Sequence, residues 1–196
     1  MKELGAKTIL TLLIPEPEVA FQILALNIEK AHNLREKALE VVRMYDELRK
    51  IDAGRKETDY ALEFEDAYLI TLGFCYRERG RFSGGAYHPI LRKADRWLPG
   101  KLRDALPVRR ERAKLLLDYD DAVTAAVAAL KARGFNSPYL RNFVVAHTNP
   151  LRFIKGEPPP LDELLPSMTK RTRGMDVGKI KSEDVARSGG APEASE

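Results

Sequence analysis

Apolar positions in this chain recur mostly at helical spacing. From Leu34 to about Ile51 they fall at Leu34, Ala38, Val41, Val42, Tyr45 and Leu48, one stripe of an amphipathic helix. Asn33 stands ahead of it as an N-cap, with Glu36 in the capping-box position. A polar stretch from Asp52 to Asp59 reads as a loop. A second helix is predicted over Phe64 to Arg79, with Ala67, Leu69, Ile70, Leu72, Phe74 and Cys75 turned to a core and Gly80 closing it. A third covers Tyr87 to Leu98 and stops at Pro99-Gly100. A fourth runs from Val108 to Arg133 and ends at Gly134. Ser137-Pro138 opens a fifth, which carries Tyr139, Leu140, Phe143, Val144 and Val145 and stops before Asn149-Pro150.

The first thirty residues differ. Met1 to Gly5 reads as the last turn of a helix with its cap, Lys7 to Ile14 as a short buried strand, and Glu18 to Glu29 as a helix. The predicted fold class is therefore mainly α: a helical bundle with a helix-turn-helix, preceded by a short strand left from an α/β domain. The expected divisions are 1–33, the end of that α/β domain; 34–154, a helical domain; and 155–196, a flexible and largely disordered tail. Pro158-Pro159-Pro160 opens the tail, which has few large apolar residues and room for short helices at Leu161 to Met168 and Gly178 to Arg187.

Charge adds a partner class to this picture. The net charge is only +4, but Arg77 to Lys114 holds twelve basic and four acidic residues, so the rest of the chain is net acidic. A lone cysteine, Cys75, permits no intrachain disulfide and reads as a core residue. No apolar run reaches membrane-spanning length, and no secretory leader is evident, so a cytoplasmic protein without a membrane partner is expected. Glu29, His32 and Glu36 read better as a polar capping region than as metal ligands, because a third protein ligand is wanting. Asp118, Asp120 and Asp121 read as a solvated acidic face. His147 has no nucleophile motif beside it. Lys170, Arg171, Arg173, Lys179 and Lys181 suit either phosphate contacts or a solubilising tail.

Asn27-Ile28-Glu29-Lys30 resembles the Glu-Asn-x-Gln-Arg box of ParB-type partition proteins, with Leu26 in the glutamate position and Glu29-Lys30 in place of the Gln-Arg pair. Met1 to Leu10 is similar to the close of that family's N-terminal domain, Leu34 to Leu48 to the helix after the box, and Tyr68 to Leu98 to its helix-turn-helix. The resemblance implies a DNA partner, a homodimer and a partition ATPase. In the family a Gly-x-Arg-Arg or Gly-His-His-Arg motif lies upstream of the helix that ends here at Gly5. CTP with a divalent cation is expected only if a longer natural form carries that motif. In this chain no cofactor and no enzymatic activity are expected, and Asn27, Glu29 and Lys30 are kept as cofactor-binding positions on the family box alone.

The DNA-reading segment is expected from Ser83 to Arg96, offering Ser83, Tyr87, His88, Arg92, Lys93 and Arg96, with Arg81 just before it. The Gly84-Gly85 pair and Pro89 argue for a reader helix that begins near Pro89, or for a turn longer than usual. Two other readings compete. One is a truncated nucleotide-dependent enzyme, a CTPase, phosphotransferase or nuclease. The other is a helical module whose basic zone meets an acidic protein.

Overall fold

A computed structural model describes residues 33–188. The predicted strand, the helix over 18–29 and the box at Asn27 to Lys30 lie outside these residues. Among the described residues the chain is mainly helical, with no strand. The α-helices are α1 (Leu34–Ile51), α2 (Ala61–Phe64), α3 (Ala67–Glu78), α4 (His88–Ala94), α5 (Leu102–Ala132), α6 (Leu140–Thr148), α7 (Leu161–Arg173) and α8 (Ser182–Ser188).

α3 is the centre of the packing. Every residue from Ala67 to Tyr76 is buried, so this helix is apolar on all sides and needs neighbours all round. α1 covers one side of it with the predicted stripe, and α5 covers another. Gly73 sets the α1–α3 approach: a Cβ there would overlap the Ala38 carbonyl oxygen and the Val42 side chain. Asn33 caps α1 as expected, its side chain accepting from Arg35 N–H at 2.9 Å. The predicted start of α3 at Phe64 is interrupted, because Glu65 takes φ 61° and splits off α2.

α5 is the spine, 31 residues and roughly 45 Å long. It starts at Leu102, not at Val108, and runs through Pro107. The gain that offsets the proline is burial of Leu102, Ala105 and Leu106. The start is also held from outside: Leu102 N–H donates to Arg55 O at 2.7 Å, so a loop carbonyl satisfies a helix-end donor. Tyr45 Oη donates to Leu102 O at 2.9 Å and ties α1 to the same turn. Gly134, at φ +91°, ends the helix as expected.

The expected flexible tail from 155 is not one over most of its length. α7 packs along α5 and buries Leu161, Leu164, Leu165 and Met168. Each such side chain adds roughly 1.5–3 kcal/mol on burial, and Ile180 and Val185 join the same core. Low overall hydrophobicity masked this, because the few apolar residues all fall on one helical face.

Candidate functional site

The basic zone divides into an interior part and a surface part. Arg109 and Arg112 lie on the apolar stripe of α5, one turn apart, and both are buried. Arg109 has no exposed surface, yet all five of its donors are used. Nε reaches Glu57 Oε1 at 2.8 Å and Nη2 reaches Glu57 Oε2 at 2.6 Å. Nη2 also donates to Arg96 O at 3.0 Å. Nη1 donates to Asp95 Oδ1 at 2.7 Å and Thr71 Oγ1 at 3.2 Å. Arg112 shares Asp95 Oδ1 at 2.8 Å and grips Asp162 with Nε at 2.9 Å and Nη2 at 3.0 Å. Burial works to lower the Arg109 pKa, but the Asp95 and Glu57 carboxylates more than reverse this and hold it above the usual guanidinium range. The network joins the 57–60 turn, α3, the α4–α5 link, α5 and the first turn of α7.

A second cluster lies at the start of the segment expected to read DNA. Tyr87 is buried and donates to Asp120 Oδ1 at 2.5 Å. Arg141 Nη1 donates to Tyr87 Oη at 2.8 Å and also to Asp120 Oδ1. Arg79 Nη1 donates to Asp120 Oδ2 at 2.7 Å. Burial first, and the Asp120 carboxylate second, push the Tyr87 phenol far above its ordinary range. Two expectations change here. Asp120 belongs to no solvated face, since it is buried between two arginines and a tyrosine. Tyr87 stacks on Phe82 and meets Tyr119 edge-on, so its ring is core and presents nothing to a DNA groove.

The other predicted readers lie differently. Arg81, Ser83, Arg92, Lys93 and Arg96 are exposed, and His88 is half-buried against the Tyr68 ring. Arg96 pairs with Glu157. The helix expected as the reader, α4, begins at His88 with Pro89 in its first turn, and the connection from α3 spans residues 79–87. That connection is longer than the few residues of a tight helix-turn-helix. Gly84 sits within it, buried, where a Cβ would overlap the Tyr76 hydroxyl. Of the twelve basic residues, Arg81, Arg92, Lys93, Lys101, Arg110 and Lys114 are exposed and make no ion pair among the described residues.

Two further features had no place in the sequence reading. A cleft of about 640 Å³ opens between α6, α7 and α8, lined by Phe143, His147, Arg152, Arg171 and Lys179 among others. Beside it, Phe153 is 82% exposed at the tip of the α6–α7 loop. The signal for the tip was present: Arg152-Phe153-Ile154-Lys155 places two apolar residues between cations in a stretch bounded by Pro150 and Pro158. Among the described residues no cluster of three or more His, Cys, Asp or Glu could hold a metal, and no helix is long and apolar enough to cross a membrane. Cys75 is buried against Ala113 O, and burial raises its thiol well above the usual range. No protein-family model, curated protein or solved structure matches the chain.

Proposed function

We propose that this chain binds DNA, as a ParB-like partition or nucleoid-associated factor in the cytoplasm. The observation that carries the reading is the set of six exposed cations without ion pairs, Arg81, Arg92, Lys93, Lys101, Arg110 and Lys114, in a chain otherwise rich in internal pairs. Such cations bind phosphates and release counterions, so affinity depends on salt. Arg92 and Lys93 on α4 are the central contacts, with Arg81 and Ser83 preceding them. A homodimer and a partition ATPase partner belong to the same proposal through the family resemblance. The test is an equilibrium titration of a labelled duplex at two salt concentrations. Binding that weakens with salt supports the reading; no binding at either concentration overturns it.

A further inference from the structure

Phe153 and Ile154 are the point where the surface departs most from what water favours. Phe153 is 82% exposed and Ile154 38%. Covering such side chains removes apolar area from water, so a partner that covers them gains directly. The loop is firmly footed. Asn149 Oδ1 accepts from Leu151 N–H at 2.9 Å, Leu151 is buried, and Phe153 N–H donates to Pro150 O at 3.0 Å. Gly156 then takes φ +123°, a backbone state favoured by glycine, and the chain turns back into Glu157, which pairs with Arg96. The tip is held outward by its own base.

Arg152 and Lys155 flank the tip, exposed and without ion pairs among the described residues. Through Glu157 and Arg96 the loop is tied to the end of α4, which displays Arg92 and Lys93. Through Arg152 it borders the cleft, which Arg171 lines together with the Lys179–Asp176 ion pair and Asp184. A short apolar tip between the exposed cations Arg152 and Lys155 matches a base step between two phosphate strands. A membrane surface suits it less, because two apolar side chains offer little area compared with the long apolar face of an interfacial helix.

We infer that Phe153, with Ile154 beside it, is a wedge that inserts at a base step of duplex DNA and partly unstacks it, while Arg152 and Lys155 hold the adjoining phosphates. This rests on the DNA-binding reading and adds the element and the mode of contact. Pyrimidine–purine steps, the easiest to unstack, are the preferred targets.

The experiment uses the full chain and a duplex with 2-aminopurine at a central TA step. Fluorescence reports unstacking, and anisotropy of an end label reports binding. Wild type is expected to bind and to raise the 2-aminopurine signal. Phe153→Ala is expected to abolish that rise and to weaken affinity about tenfold, with the salt slope unchanged and the thermal midpoint preserved. Binding without a fluorescence rise, or a rise that survives in Phe153→Ala, overturns the wedge but leaves DNA binding standing. No binding at all overturns both. Phe153-dependent capture on vesicles of phosphatidylserine and phosphatidylcholine, with no Phe153 effect on DNA, also overturns the wedge and assigns the tip to a lipid surface.

Discussion

Arg109 and Arg92 come from the same basic stretch and carry the same side chain, yet they have opposite fates. Arg109 sits on the apolar stripe of α5, loses all contact with water and finds a partner for every donor. Arg92 sits on the outer face of a seven-residue helix and has no ion pair among the described residues. The difference teaches that a basic zone in a sequence is not a basic surface. An arginine at a core position of a helical period must be matched by buried carboxylates, and it is then unavailable to any ligand. Only the remainder can be offered to an anion.

That comparison can be broken most sharply at its interior end. Arg109→Met would leave Glu57 buried without a cation and Asp95 with Arg112 alone, and it should cost about 3–5 kcal/mol in denaturant unfolding. A loss under 1 kcal/mol would mean the carboxylates are hydrated and the interior assignment is mistaken. Gly73→Val attacks the same interior through shape alone. Its side chain meets the Ala38 carbonyl and Val42, so a loss of about 1–3 kcal/mol is expected, read as a lowered denaturation midpoint.

Alkaline pH tests how dry the interior is. Burial raises the phenols of Tyr45 and Tyr87 far above 10.0 and pushes that of Tyr119 up to about 12. A folded pKa above the unfolded one holds the proton more tightly in the native state. The associated stability is therefore full below pH 10 and is lost as pH rises toward 12 and beyond. Tyrosinate absorbance from Tyr45, Tyr87 and Tyr119 should appear together with loss of helical circular dichroism. Full tyrosinate absorbance from a chain that is still helical at pH 11 would contradict this.

The surface end should behave in the opposite way. Arg92→Gln with Lys93→Gln should change stability by no more than about 0.5 kcal/mol, because both side chains are exposed and make no ion pair among the described residues. Its whole effect should fall on binding.

Much of this division was legible in the sequence. The helical class, the stripe of α1, the Asn33 cap, the burial of Cys75 and the stop at Gly134 follow from local rules of period and capping. What stayed hidden depends on partners distant in sequence. Glu57 lies in a stretch that reads as a polar loop, and only the fold carries it under Arg109, 52 positions on. Arg109, Arg112 and Asp120 all occupy the apolar period of α5, which was the one local hint that they are interior. Tyr87 was expected at DNA because it falls in the segment from Ser83 to Arg96; its contacts with Asp120 and Arg141 come from helices further along. A short helix from Leu161 was legible, but its length and its packing into the core were hidden by composition, since four buried apolar residues among many charges average to a polar tail.

The most direct measurement of the central claim is duplex binding by wild type and by the Arg92→Gln, Lys93→Gln variant across a salt series. The account predicts salt-dependent binding by wild type, with weaker binding and a shallower slope in the variant, lower by up to about two, at unchanged thermal midpoint. Identical slopes for the two proteins, or no binding by either, would contradict it.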